Sequence, residues 1–215
     1  MRGNFWKIKS QVTRLIPKRF LMFEGNKRSQ KIALTFDDGP DPQYTEKILK
    51  ILERYKIKAT FFFIGKNIEQ HPFLVKRVFE EGHLIGGHGY SHKRASTISL
   101  HEFSEELKKN QASLYHIIGE GFQFFRPPYG DYNFGSLVAC VFKKMTVTLW
   151  SVDSRDFERK GKQNIVQHVL KDDIGSGEIF LFHDDNDDTV GVLPEFIEYY
   201  QKRGFKFVLL KDLMT

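Results

Sequence analysis

Short apolar runs rich in β-branched and aromatic residues recur along the chain at residues 32–36, 59–64, 84–85, 122–125, 147–152, 179–182 and 205–210. Their hydrophobicity is nearly continuous rather than alternating, which marks strands buried on both faces. Between them lie segments of helical period. The stretch YTEKILKILERY sets Ile48, Leu49, Ile51, Leu52 and Tyr55 on one face. HPFLVKRVFEEG places Pro72 where a first helical turn tolerates proline, and stops at Gly82. Ser99 and Glu102 have capping-box spacing for a helix that ends by Gly119, and LPEFIEYYQKRG repeats the plan up to Gly204. Strands that alternate with helices imply parallel strands joined by right-handed crossovers. Seven of them predict an α/β chain built as a closed or nearly closed (β/α) barrel. A dinucleotide-binding sheet is disfavoured, because no Gly-x-Gly-x-x-Gly follows the first strand.

A length of 215 residues suits one domain, and the net charge of +6 is unevenly spread. Residues 1–31 hold Arg2, Lys7, Lys9, Arg14, Lys18, Arg19, Lys27, Arg28 and Lys31 against Glu24 alone. The chain therefore divides into a basic N-terminal arm over residues 1–30 and a single domain over 31–215. A solvated arm is the plain expectation and contact with a membrane surface the alternative. Nucleic acid ranks behind both, resting only on that charge. The one cysteine, Cys140, excludes an internal disulfide and sits in the run LVACVF, where a buried inert thiol is expected. The first twenty residues lack the apolar core of a secretory leader, and no run approaches the roughly 20 apolar residues of a membrane span. The expectation is a cytoplasmic chain or one peripheral to a membrane; oligomeric state is not encoded in any of these patterns.

Five of the seven runs lead directly into polar clusters. Asp37 and Asp38 follow the first, Gly87 to His92 the third, Arg126 to Gly130 the fourth, Asp153 to Asp156 the fifth, and His183 and Asp184 the sixth. In a (β/α) barrel these strand ends converge on one face, where active sites lie. Asp38, His88 and His92 then offer one carboxylate oxygen and two imidazole nitrogens, a set suited to one divalent metal, zinc first, with cobalt or nickel as alternatives. Two histidines four apart also fit a helix surface, but Gly86, Gly87 and Gly89 argue for a tight loop instead. With Asp38 on the metal, Asp37 is free to act as a general base, and Arg126 can pair with it and keep it ionised. His183 is a candidate general acid, with Asp156 as the partner that raises its pKa and fixes its ring. His71, His83, His101, His116 and His168 are expected on helix faces or starts, without chemistry. The run from Asp184 to Asp188 lacks the glycine and distal glutamate of a calcium loop and reads as a solvated loop.

With these segments in order, the sequence resembles the polysaccharide deacetylase (NodB-homology) family, the group-four carbohydrate esterases. TFDDGP, HGYSH, RPPYG, DSRDF and IFLFHD follow the order of the family's five motifs, and KATFFFIG and RGFKFVLLKDL are similar to it as well. The resemblance implies a distorted (β/α) barrel and a metal-dependent hydrolase that removes N-acetyl groups from an amino-sugar polymer or oligosaccharide. It implies Asp37 as base, Asp38, His88 and His92 as ligands, Arg126 as the residue that orients Asp37, and His183 as acid tuned by Asp156. It further implies a backbone N–H of Tyr129, beside Pro128, for the oxyanion, and a wall of Leu181 and Phe157 for the acetyl methyl group. Two positions depart from the family's usual pattern. Gly89 stands where Ser or Thr is usual, and Phe157 where Trp is usual. An amidase acting on a non-sugar amide and a glycan-binding pseudoenzyme are the rival readings.

Overall fold

Strand β2 (Lys31–Asp37) shows why the strands read as unbroken apolar runs. In the computed structural model, which describes residues 16–213, Ile32, Leu34 and Phe36 pack in the layer beneath the helices. Ala33 belongs to a second cluster on the opposite, concave face, followed on that face by Thr35 and Asp37. Both faces are dry, so a period of two leaves no polar stripe to read. The same division holds in β3 (Thr60–Phe63), where Phe61 and Phe63 face the helices and Phe62 faces inward.

The remaining strands are β1 (Leu21–Met22), β4 (Leu84–Gly87), β5 (Phe124–Phe125), β6 (Thr146–Thr148), β7 (Val152–Asp153), β8 (Ile179–His183) and β9 (Lys206–Phe207). Their spatial order is β1-β6-β5-β4-β3-β2-β8-β7, with β9 beside the start of β2, and the pairings are parallel throughout. Among the described residues β1 and β7 are free edges, so the curled sheet is a distorted (β/α) barrel rather than a closed one.

Three strand expectations shift. The run 147–152 is two strands, because β6 pairs with β5 and β1 while β7 pairs with β8. The run 205–210 pairs only at Lys206 and Phe207. Helix α8 (Leu210–Leu213) follows, and its two leucines fill the concave interior. Leu21 and Met22, placed by sequence in a solvated basic arm, are fully buried in β1 against Val147 and Thr148. Nearby, Lys27 Nζ donates to Glu178 at 2.7 Å and Gly25 N–H to Gly177 at 2.6 Å. Two apolar residues among cations are too short a signal to read as a strand. The first half of the expected arm, residues 1–15, lies outside the described residues.

Seven longer helices cover the outer face: α1 (Tyr44–Arg54), α2 (Gly65–Gln70), α3 (Pro72–Glu80), α4 (Leu100–Ile118), α5 (Phe134–Phe142), α6 (Lys162–Val169) and α7 (Asp187–Lys202), counted among the described residues. Ile48, Leu49 and Leu52 are buried as their spacing requires. Ser99 Oγ accepts the Glu102 N–H at 3.2 Å, and Gly119 closes α4 at φ 72°. Helix α7 opens at Asp187 rather than near Leu193, since Asn186 Oδ1 accepts the Thr189 N–H at 2.8 Å. The run 184–188 is therefore no solvated loop: Asp184 and Asn186 are buried, and Asp187 and Asp188 form a first helical turn, where acidic side chains are favoured. His83 also departs from expectation. It lies buried before β4, its Nδ1 accepting the Ala59 N–H at 3.1 Å. Cys140 is buried and its thiol is pushed up to about 12 by that burial, which leaves it inert.

Candidate active site

Asp37 closes β2 on the concave side, and its register partner in β8 is His183. Arg126 follows β5 directly and is wholly buried. Its Nη1 donates to Asp37 Oδ1 at 2.7 Å and to Thr35 Oγ1 at 2.8 Å, and its Nη2 to the Leu149 carbonyl at 3.0 Å. The Thr35 hydroxyl in turn donates to the Phe180 carbonyl at 2.6 Å, and the guanidinium lies 4.2 Å from the centroid of Phe62. A buried cation is tolerable only with its counter-charge and donors satisfied, as here. Burial draws the Arg126 pKa below its ordinary value while Asp37 opposes the shift; an arginine so placed stays charged.

Asp38 leaves the ladder. Its backbone is left-handed at φ 78°, and Asn67 Nδ2 donates to its carbonyl at 2.7 Å. Gly39 follows because a Cβ there would collide with the buried Asp184 carboxylate. Asp184 Oδ2 accepts the Thr45 hydroxyl at 2.5 Å, and burial holds its pKa well above the ordinary range.

Asp38 Oδ1 is buried and accepts no hydrogen bond, although the Nε2 atoms of His88 and His92 lie 3.4 and 3.1 Å from it. His88 Nδ1 lies 2.7 Å from the Arg126 carbonyl. A carbonyl only accepts, so Nδ1 carries the hydrogen and Nε2 of the neutral ring turns a lone pair toward Asp38. Lone pairs converging on one point call for positive charge between them, which a proton or a metal ion supplies. Ligand atoms of Asp38, His88 and His92 lie within 4.8 Å of one another, so these three residues fit a metal ion. The protonation tendencies show the same demand for positive charge at this point. Burial works against charge on Asp38, but His88 and His92, with His183 behind them, hold its carboxyl below the usual range. Burial likewise opposes a charged His88, but Asp37 and Asp38 raise it.

The loop carrying the two histidines is held from α4. Glu106 Oε2 accepts the N–H groups of Tyr90 and Ser91 at 3.0 and 2.7 Å, and its Oε1 accepts the Ser91 hydroxyl at 2.8 Å. Gly89 sits at φ 74° with room for a Cβ, so conformation rather than space disfavours a side chain there. Glu106 supplies a brace for this loop in the absence of a hydroxyl at position 89. His92 is itself left-handed at φ 58°, with its ring 4.6 Å from that of Tyr129.

Across the cavity, His183 Nδ1 meets Asp156 Oδ1 at 2.7 Å. Asp156 is buried and also accepts the His183 N–H at 2.7 Å and the Thr189 hydroxyl at 2.6 Å. Burial disfavours the charged ring, but the Asp156 hydrogen bond and charge, with Asp37 and Asp38 beyond, raise its pKa to about 10. The cavity measures roughly 620 Å³. Asp37, Asp38, His88, His92, Tyr129, Phe157, Leu181 and His183 line it, and Arg126 and Asp156 stand behind this wall. Pro128 is buried beneath Gly89 and is not part of the lining. The Phe157 ring meets His183 edge-on at 6.0 Å. Trp150, Asp153, Arg94 and Asp131 also line the cavity and were not singled out as lining residues from the sequence. Glu106, Asn67 and Thr189 were missed too, because each acts from a different element through a hydrogen bond that no spacing encodes.

The comparisons with known proteins agree with this geometry. The family model described as polysaccharide deacetylase matches residues 24–148. A peptidoglycan-N-acetylglucosamine deacetylase of Bacillus cereus is 36% identical over 205 residues, covering 93% of this chain and 95% of that protein. The crystal structure of the Bc1960 peptidoglycan N-acetylglucosamine deacetylase, bound to a naphthalenyl N-oxidanyl-benzamide, superposes with a TM-score of 0.87 at 33% identity, covering 91% of this chain and 92% of that one. A mutant of BA3943, a CE4 family pseudoenzyme with restored enzymatic activity, gives 0.86 at 26% identity over 91% of this chain and 71% of that one. With its motifs at the strand ends and the Bacillus cereus deacetylase matched over nearly its whole length, this chain belongs to the polysaccharide deacetylase family.

Proposed function

We propose that this chain hydrolyses the N-acetyl group of an amino sugar in a polymer or oligosaccharide, with peptidoglycan as the substrate class and N-acetylglucosamine as the acetylated sugar. The identity of its relatives supports the substrate class. The observation that carries the reaction is the opposition of two pairs across one donor cluster: Asp37 held by Arg126, and His183 held by Asp156. A divalent cation at Asp38, His88 and His92, zinc before cobalt or nickel, would supply Lewis acidity toward the amide carbonyl and acidify water.

Asp37 Oδ1 is tied to Arg126, which leaves Oδ2 to take the proton of the attacking water. His183 gives its Nδ1–H to Asp156 and holds a second proton on Nε2, which it delivers to the departing nitrogen. Without that proton the amine is too basic to leave. The backbone N–H of Tyr129 stabilises the developing oxyanion. Leu181 and Phe157 form the apolar wall against which the acetyl methyl group rests. Products are acetate and a free amino sugar.

Acetate release from N-acetylglucosamine oligomers, peptidoglycan fragments and small non-sugar amides, before and after chelation, tests the proposal. Release from the glycans that chelation abolishes and zinc restores is expected. Release from the non-sugar amides alone would replace it with the amidase reading, and glycan binding without any release would make the chain a pseudoenzyme.

A further inference from the structure

Helix α5 has the sequence FGSLVACVF and carries no charged residue. Its inner side buries Ser136 and Cys140. Its outer side leaves Phe134 83% and Phe142 84% exposed, with Val138 half-buried between them. A surface helix ordinarily turns polar residues to water, so this strip is an apolar face without a partner among the described residues.

The charges around it select what could cover it. Because α5 joins β5 to β6, it runs from the carboxyl ends of the strands to their amino ends, and the exposed Lys143 and Lys144 close its lower end. Arg19, also exposed, is adjacent: its carbonyl accepts the Thr146 hydroxyl at 2.9 Å. None of these three cations has an acidic partner among the described residues. In sequence, Arg2, Lys7, Lys9 and Arg14 precede Arg19, and no acidic residue precedes Glu24. Phe73, 90% exposed on α3, offers the contrast. Its helix carries Arg77, which is already paired with Glu46 and Glu81, so that surface has no net preference for an anion.

We infer that the outer face of α5, with the basic rim of Arg19, Lys143 and Lys144 below it, docks on an anionic lipid surface. The phenylalanines enter the boundary between headgroups and acyl chains while the cations meet acidic headgroups, two weak signals that together suffice. The outer face of α5 flanks the side of the barrel, and the cavity opens at the carboxyl ends of the strands near Phe134, so docking covers that side and sets the cavity mouth beside the membrane.

Cosedimentation of the full chain with vesicles of phosphatidylcholine alone, or mixed with phosphatidylglycerol, tests this. Binding to the mixed vesicles only is expected, weaker in high salt. F134S/F142S and K143E/K144E should each lower the bound fraction about tenfold, with acetate release from soluble glycan and the circular dichroism spectrum unchanged. Failure of the unaltered chain to bind mixed vesicles would overturn the inference. So would unchanged binding by F134S/F142S, which would assign it to residues 1–15. Light scattering that shows a dimer lost in F134S/F142S would also overturn it, because a second copy would then cover the face.

Discussion

Asp37 ends β2 inside the barrel at 3% exposure, its carboxylate 2.7 Å from a guanidinium buried with it. Asp38, one residue on, has left the ladder in a left-handed conformation, its side chain 28% exposed and its buried oxygen facing two imidazoles without a hydrogen bond. The first carboxylate is part of the folded interior and is held there by Arg126 through its Oδ1. The second is positioned by loop geometry, with His88 and His92, to hold a cation. Adjacent like charges thus belong to different surroundings, one held by the fold and the other turned toward a candidate metal site.

The largest effect should come from breaking the interior side. Asp37→Ala strands a buried Arg126, so acetate release should fall roughly 10²- to 10⁴-fold. Urea unfolding should show a loss of about 3–5 kcal/mol. Asp38→Ala should lower metal content, yet change the unfolding free energy of the metal-free protein by less than about 1 kcal/mol. Equal destabilisation by the two substitutions would erase the contrast. Next in size is the brace of the loop side. Glu106→Ala frees the segment that carries both histidines, and competitive metal titration should show affinity weakened about 10- to 100-fold.

The smallest effect lies at the other end of the strands, at buried His83, where burial outweighs the nearby Glu81 carboxylate, 3.8 Å from its Nε2. Burial, aided by Lys58, holds the His83 pKa down to about 4, against an ordinary value near 6.5. The unfolded chain therefore takes up the proton first as pH falls. Stability from this site is full above about pH 6.5 and is lost toward pH 4, with about 2 kcal/mol disappearing between pH 7 and pH 5. His83→Asn keeps an acceptor for Ala59 and removes the titration, so unfolding curves at the two pH values should converge in the variant by that amount.

The same contrast explains what could be read from the sequence. Strands were visible because both faces of the sheet are dry, and the candidate residues because polar side chains stand at the ends of those strands. Hydrogen bonds that cross between elements left no such mark. Glu106 is one glutamate on a helix with several, and nothing in its spacing shows that it holds the loop of His88 and His92. Asp184 looked solvated among four aspartates, yet Gly39 leaves the space it occupies. Leu21 and Met22 are too few to register against neighbouring cations, and the apolar outer face of α5 hid its period because apolar residues surround the whole helix.

The inequality of the two carboxylates is the central claim, and Asp37→Asn, which retains an acceptor for Arg126, tests it most directly. Metal content and acetate release are measured on the same preparation. Metal at the level of the unaltered protein with acetate release lost is the predicted result. Near-normal release, or loss of the metal along with the activity, would contradict the assignment of Asp37 to proton transfer and Asp38 to the cation.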